Sequence, residues 1–479
     1  METKTLVQTS KVTPASARHR RLLAALLTGQ AMATMDASIV NVAAPSIRAG
    51  LHASGGALQL IVSGYVLAFA VVLVIGSRLG DRHGHGRMFR LGLICFMAAS
   101  LACGIAPSAA ALTAFRILQG AAAALLVPQV LSLIQLRFDG PARARAIGWY
   151  SMVLALGVAA GQLAGGVIVS ADLFGTGWRL VFWVNVVIGA VLLPICRRVL
   201  PAESGSRPGR LDLGGAVLLA AAMIAVVAPL AVGREQGRPL WTWCSLGAGC
   251  LLLAGFAGWE IRVAAGDTVP LLDLKILTRS AVRPGLAACC LVMGCYAAWC
   301  FVLTLHLQSG LGFSPLRAGL TFLPYTAGFA TVGLTWSKLP PRLSSALPIA
   351  GPAVFAAALT ALTSLAHGPW PIAASIPLLA SAGAGHAGGF SPLLAHITQA
   401  AGPGSASAVS ALANTGALLA NALGVAVLGG LFLSTAGPTL THSAAALSHV
   451  AWTAAGLLVL GAGCATRVAR VATAPAEEP

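Results

Sequence analysis

From residue 22 to residue 466 the chain returns repeatedly to runs of apolar residues, broken only briefly by Pro, Gly or charge, as in "GSRLGDRHGHGR", "RFDGPARAR" and "PAESGSRPGR". About 20 apolar residues wound as an α-helix cross the hydrocarbon of a bilayer, where only helices and closed barrels satisfy their backbone polar groups. Fourteen spans are expected, near 22–44, 57–77, 88–106, 110–135, 144–169, 178–196, 212–232, 240–260, 284–308, 315–336, 346–366, 371–395, 405–433 and 446–466. Only 9% of the residues are charged and 57% are apolar, whereas about a quarter of a soluble domain is charged. The first run is too long for a signal-peptide core and lacks a clear cleavage site, so it reads as an uncleaved span.

The expected fold class is therefore an all-α polytopic membrane protein with 14 transmembrane helices, arranged as two six-helix bundles plus two extra central helices. The expected division is 1–200 for the N-terminal bundle, 201–280 for the two additional helices with their flanking loops, and 281–479 for the C-terminal bundle. Paired six-helix halves are a layout of secondary transporters.

Charge placement orients the chain. The net charge of +17 suggests nucleic acid at first sight, but basic residues of membrane proteins collect in cytoplasmic loops. With the N-terminus inside, twenty-four of the 30 Lys and Arg residues fall on inner segments. Five (Arg48, Arg179, Arg234, Arg238 and Arg317) fall near the outer side, and Arg116 lies within a span. Both ends are expected to be cytoplasmic, in the inner membrane of a bacterium, and no nucleic-acid partner is needed to explain the charge. Trp241, Trp243 and Trp370 sit at expected outer edges, as interfacial anchors do. The ten cysteines lie mostly inside apolar runs, without paired metal-ligand spacing, and read as small buried residues. No metal site and no cofactor is expected.

Two charges inside the spans carry the chemistry. Asp36, in "LLTGQAMATMDASIVNVAAPSI", is the one acid well inside a span, and Arg116, in "LTAFRILQGAAAALLVPQV", is the one base. Intramembrane ionisable residues are functional candidates by default. At 1.5 Å per residue Asp36 lies about 13 Å and Arg116 roughly 9 Å below the same outer face, so the two are expected to meet or to share a cavity. Burial favours the neutral acid and a nearby guanidinium favours the carboxylate. A movement that separates or hydrates the pair then changes whether the acid holds a proton; a static ion pair is the alternative. Span 5 carries Gly148, Gly157, Gly161, Gly165 and Gly166; of these, Gly157, Gly161 and Gly165 recur every four residues and leave a bare face for another helix to approach closely, though ordinary helix packing fits the spacing equally. In the loop after span 2, Asp81 can cap the next helix or pair with Arg82, Arg87 or Arg143.

With these residues in view the chain resembles the major facilitator superfamily, in its fourteen-helix branch of drug:proton antiporters. "MATMDASIVNVAAPSI" is similar to the first-helix motif through Asp36, Asn41, Ala43 and Pro45, and "LGDRHGHGR" to the 2–3 loop motif through Leu79, Asp81, Arg82 and Gly84, with Arg87 following. "RILQGAAAA" matches the fourth-helix motif at Arg116, Gln119 and Gly120, and the fifth-helix glycines match the antiporter motif. "WRLVFWVN", "PLLDLKIL", "LQSGLGFSPLRAGLTFLP" and "ASAVSALANTGALLANALGVAVLG" also resemble the branch. Gln162 stands where the antiporter motif has proline, and His85 and Gly86 replace a basic pair. The resemblance implies proton coupling through Asp36 and Arg116, and a conformational role for Asp81, Arg82, Gly84, Arg87 and the span 5 glycines. It implies efflux of small hydrophobic or amphiphilic compounds such as drugs or antibiotics; the Gln162 departure keeps open a proton-coupled importer of a small metabolite.

Candidate cavity residues are Gln119, Gln162, Tyr296, Trp299, Phe322, Tyr325, Asn414 and Asn421. Ser407, Ser410, Asn414 and Asn421 share one stripe of span 13, facing either substrate or other helices. His306 reads as interfacial and His386, among glycines, as deeper. No second membrane-embedded acid is found, so neutral, monocationic or zwitterionic compounds are expected. Expected partners are substrate, protons and the lipid bilayer, with the chain a monomer. No clustered nucleophiles or carboxylate pairs at membrane depth suggest an enzyme, and no Gly-Lys-Ser/Thr phosphate loop suggests ATP as energy source.

Overall fold

The computed structural model describes residues 14–473 except 201–211, 234–235, 238, 266–269, 273, 366–369, 402–405 and 438–439. Among the described residues every regular element is helical, and twelve helices are long and apolar enough to cross a membrane. In chain order the helices are α1 (Pro14–Leu51), α2 (Gly55–His83), α3 (His85–Gly104), α4 (Ala109–Arg137), α5 (Gly140–Ala171) and α6 (Leu180–Val199). Next come α7 (Leu213–Val232), α8 (Leu240–Val263) and α9 (Val282–Leu305). The last are α10 (Pro315–Thr321), α11 (Leu323–Thr335), α12 (Pro341–Leu365), α13 (Ile372–Ala400), α14 (Ala406–Gly424), α15 (Gly430–Thr435) and α16 (Leu440–Thr473).

Two of the expected spans depart from simple apolar rods, each for a local reason. The 315–336 stretch breaks at Phe322, between α10 and α11. Pro324 follows in the first turn of α11, where its missing N–H interrupts the helical ladder least. In α13, Gly383, Gly385 and Gly389 replace larger apolar residues because α11 and α12 press on them. A Cβ on Gly383 would collide with the Tyr325 carbonyl, and one on Gly385 would lie 2.6 Å from the Gly351 oxygen. α1 also runs through Pro45 to Leu51, beyond the expected end of the first span.

α1 to α6 pack against one another, as do α9 to α16. The two groups meet where α5 touches α10 and α11, and where α2 touches α14. α7 and α8 form a hairpin whose first helix lies on α2. Small residues set the closest crossings. A Cβ on Gly120 would strike the Tyr65 carbonyl, and one on Gly76 the Ala124 carbonyl, so α4 and α2 touch backbone to backbone. The outward surface is apolar, with Leu91, Leu101, Val187, Val191, Val459 and Leu460 exposed, as a lipid-facing surface must be. Trp241 and Trp243 are exposed on α8, whereas Trp370 is buried beside His306.

Candidate functional site

Arg116 reaches Asp36. Its Nη1 donates to Asp36 Oδ2 at 2.6 Å and to Gln119 Oε1 at 2.6 Å, while its Nε points to the Ile61 carbonyl at 3.4 Å. Asp36 Oδ1 accepts from Gln119 Nε2 at 2.9 Å and from Asn185 Nδ2 at 2.6 Å. Gln119 Nε2 also donates to Ser100 Oγ at 2.7 Å. The five side chains come from α1, α3, α4 and α6, and each is at least 99% buried. Gln119 shares a helix face with Arg116 because the two are three residues apart. A carboxylate with three donors and a guanidinium counter-charge is the arrangement that makes an ion pair tolerable away from water.

The aromatic Tyr65 of α2 covers this network. Its ring lies 4.2 Å from the Arg116 guanidinium carbon, and its hydroxyl donates to the Ala33 carbonyl at 3.3 Å. Tyr65 also lines a cavity of about 880 Å³ between the two groups of helices, lined as well by Gln30, Thr34, Arg78, Asp81, Asn414 and Asn421. Asp36, Arg116, Gln119 and Asn185 do not reach that cavity. Tyr65 is thus a partition between buried charge and open space. Tyr65→Phe removes one hydroxyl donor, so a loss of about 1 kcal/mol is expected. Tyr65→Ala removes the partition as well, and should let water reach the ion pair. Thermal unfolding and hydrogen exchange of the 110–120 segment check both; equal behaviour of the two variants contradicts the partition.

Arg78 and Asp81 line the cavity toward the ends of α2 and α3 that meet at Gly84, and toward the other ends of the helices the two groups touch. Gln308 Nε2 donates to the Val42 carbonyl at 2.8 Å, and Leu316 N–H to Ser170 Oγ at 3.1 Å. Gln59 Nε2 donates to the Val425 carbonyl at 3.2 Å. Residues 306–310 and 425–429 are single π-turns; Gln308 lies in the first, and Val425, whose carbonyl accepts from Gln59, begins the second.

Of the other sequence candidates, Asn414 and Asn421 line the cavity, while the side chains of Ser407 and Ser410 lie outside the described residues. Gln119 belongs to the ion-pair network instead. Gln162 is buried where α5 meets α10, its carbonyl 2.7 Å from where a Cβ on Gly319 would lie. Tyr296, Trp299, Phe322 and Tyr325 do not line the cavity; all four sit in the packed interior. Tyr296 and Tyr325 pack on His386, whose Nδ1 bonds the Tyr325 hydroxyl at 2.9 Å. His306 is fully buried against Ser443 at 2.9 Å, not interfacial.

Gly157, Gly161 and Gly165 all face α1: a Cβ on Gly157 would lie 3.0 Å from Thr34 Cβ, one on Gly161 would collide with Ser38, and one on Gly165 would lie 3.0 Å from Ile39. Gly166 faces α10 instead. The side chain of Asp81 pairs with His85 at 3.5 Å, not with Arg82, Arg87 or Arg143. Arg82 and Arg87 are exposed and Arg143 is held by Asp139 at 2.7 Å. Gly84 turns the chain at φ 92°, a left-handed conformation that favours glycine. His85 Nδ1 also bonds Gln129 Oε1 at 2.7 Å, tying the turn to α4.

Sequence reasoning missed Asn185, Ser100, Tyr65 and the Asp81 partner His85. Asn185 was signalled by being the lone amide in the apolar sixth span; Ser100 and Tyr65 had no signal beyond helical spacing. Two further buried acids were also missed: Glu260, expected at the end of span 8, is fully buried, and Asp212, at the start of span 7, is buried as well. Among the described residues no cluster of His, Cys, Asp and Glu could hold a metal ion.

A helical membrane protein whose two groups of helices enclose a cavity, with buried charge beside it, has the build of a secondary transporter. The chain belongs to the Major Facilitator Superfamily, matching the family over residues 26–425. It is a transporter and not an enzyme. It is 40% identical to the probable actinorhodin transporter of Streptomyces coelicolor over 67% of this chain and 55% of that protein, so it spans little more than half that relative's length. It is 36% identical to a cephamycin export protein of Amycolatopsis lactamdurans over 84% of this chain and 82% of that one. With the methylenomycin A resistance protein of Streptomyces coelicolor it shares 33% identity over 86% of each. Among solved structures, a bacterial homolog of the human lysosomal transporter Spinster, inward-facing and occupied, superposes with a TM-score of 0.68 over 95% of this chain and 97% of that one at 17% identity. A peptide transporter bound to sulfate gives 0.67 over 94% and 95% at 18% identity.

Proposed function

We propose that the chain is a proton-coupled exporter of small hydrophobic or amphiphilic compounds, of the fourteen-helix drug:proton antiporter branch, working as a monomer in the bacterial cytoplasmic membrane. The relatives' names support export of antibiotics. The fourteen spans are the twelve apolar helices together with α10–α11 and α13, grouped as residues 1–200, 201–280 and 281–479. The basic end faces the cytoplasm, so the cavity is open inward, and both ends of the chain are cytoplasmic.

The observation that carries the reading is the Asp36–Arg116 pair sealed from the cavity by Tyr65. Substrate enters from the cytoplasm between α2, α4 and α14, where apolar walls hold it and Asn414 and Asn421 offer polar contacts. When the halves rock, α1 moves against α5 along the Gly157–Gly161–Gly165 face, and the 2–3 loop through Asp81, Arg82, Gly84 and Arg87 braces the closing inner end. A proton that reaches Asp36 from outside cancels its charge and releases Arg116 to Gln119 and the Ile61 carbonyl. Return to the inward state delivers that proton to the cytoplasm. One observation favours the reverse direction, import of a small metabolite: Gln162 in place of proline leaves α5 an unbroken helix from Gly140 to Ala171.

Inside-out vesicles with an acidified lumen test the direction. Hydrophobic antibiotics should accumulate in the lumen and relieve its acidity, as a trapped pH dye reports. Accumulation only when the gradient is reversed would make the chain an importer.

A further inference from the structure

The α7–α8 hairpin holds a polar cluster that the exchange cycle leaves unused. Asp212 caps α7: its Oδ1 accepts from the Gly215 N–H at 2.8 Å and from Trp259 Nε1–H at 2.9 Å. Glu260 Oε2 accepts from the Leu272 N–H at 3.0 Å. The remaining oxygens, Asp212 Oδ2 and Glu260 Oε1, are buried without a hydrogen-bond partner. They face the same point: a Cβ on Gly215 would press on both, meeting Glu260 Oε1 at 2.6 Å.

No Lys or Arg lies within ion-pair distance of either carboxyl among the described residues. Arg262 on α8, Arg279 before α9 and Arg283 on α9 are exposed, and Lys275 Nζ donates to the Ala264 carbonyl at 3.1 Å. On α2, Arg78 and Asp81 border the cavity and Arg82 is exposed. Glu203, Arg207, Arg210, Asp267 and Asp273 lie outside the described residues. Trp259, Gly215 and Leu272 touch the pair, and Ala216, Leu271, Leu272 and Ile276 are buried apolar residues of the same segments.

Two bare carboxylate oxygens facing one another in an apolar shell repel strongly, and neighbouring carboxyls in such a site do not both ionise. One proton turns the pair of acceptors into a charge-assisted O–H···O⁻ hydrogen bond and satisfies both. We propose that Asp212 and Glu260 together bind one proton, as a second ionisable site separate from Asp36. This goes beyond the export reading and does not depend on its direction. The site is tied to the cavity, because Glu260 holds Leu272 while the adjacent Pro270 and Leu271 line the cavity wall. Loss of the proton drives the two acids apart and loosens that wall.

The full-length protein with Asp36→Asn, which removes the other buried acid, is titrated while the carbonyl stretch of un-ionised carboxylic acid is followed by infrared absorption. Exposed acids ionise near pH 4, roughly. One carboxylic acid per protein should persist well above that range, and its band should vanish with Glu260→Gln and move to acid with Asp212→Asn. Hydrogen exchange of residues 270–281 should rise as the band disappears. Absence of a persisting band, whether the oxygens are bare or filled by a metal cation, overturns the proposal, as does a band that survives both variants. Two variants guard against one that fails to fold, and Gly215→Ala, which wedges the pair apart, should also remove the band.

Discussion

Asp36→Asn is expected to abolish proton-driven transport while leaving a folded, membrane-inserted protein. The variant keeps the size of the side chain and the bond from Arg116, but turns an amide NH2 toward the donors of Gln119 and Asn185. Asn Oδ1 can still accept from Arg116, and the amide can face Asn185, whose Oδ1 has no partner in the native network. What it removes is the negative charge opposite a guanidinium that is 1% exposed. Removing one partner of a buried ion pair costs about 3–5 kcal/mol, because the other charge is left uncompensated.

Two measurements separate the contributions. In an efflux-deficient host, the variant should protect against hydrophobic antibiotics no better than the empty host. In detergent, Asp36→Asn and Arg116→Gln should each lower the unfolding temperature, and the double variant should recover much of the loss by leaving no unpaired charge. The double variant should remain inactive. If energised transport survives Asp36→Asn, Asp36 is not the proton carrier; if the double variant is less stable than either single, the pair is not the source of the cost.

How much of this was legible in the sequence follows from what sequence patterns encode. Apolar runs report length and lipid exposure directly, so the helical membrane class was readable. Asp36 and Arg116 were readable because a charge in hydrocarbon has few places to go, and depth along a helix is a matter of counting. Rotation about the helix axis and tilt are not counted so simply. Uncharged polar residues such as Asn185 and Ser100 fit many faces of a membrane helix, so even the lone amide of the sixth span was not tied to Asp36 by its position. The aromatic candidates failed for the same reason: Trp299 and Phe322 point into packed interior, a matter of azimuth. Glu260 looked like a helix-end acid, and only the return of residues 271–272 over the end of α8 buries it. The Asp81–His85 pair needed the positive-φ turn at Gly84, which brings α3 back beside α2.

The contact between α5 and α10 yields the second large effect, expected from Gly166→Leu and Gly319→Leu. A Cβ on Gly166 would lie 2.8 Å from Leu316 Cα and 2.8 Å from the Pro315 oxygen, and one on Gly319 2.7 Å from the Gln162 carbonyl. These neighbours are backbone and cannot turn aside, so either leucine must push α10 away from α5. The displacement falls where the two helix groups touch, beside the bond from Leu316 N–H to Ser170 Oγ. Both positions lie outside the Asp36 network, which is built on α1, α3, α4 and α6, so the ion pair should survive. The expected result is a protein that folds, binds hydrophobic antibiotic in detergent and does not transport, because one of its two end states can no longer close. Hydrogen exchange of residues 162–171 and 311–322 should rise in both variants, while that of 110–120 stays as in the parent. Gly157→Leu is the contrasting substitution: it strikes Thr34 within the same helix group, and should disturb the pairing of α1 with α5 before it disturbs the α5–α10 contact. Native rates of transport in Gly166→Leu would mean that the α5–α10 contact is not broken and remade in the cycle.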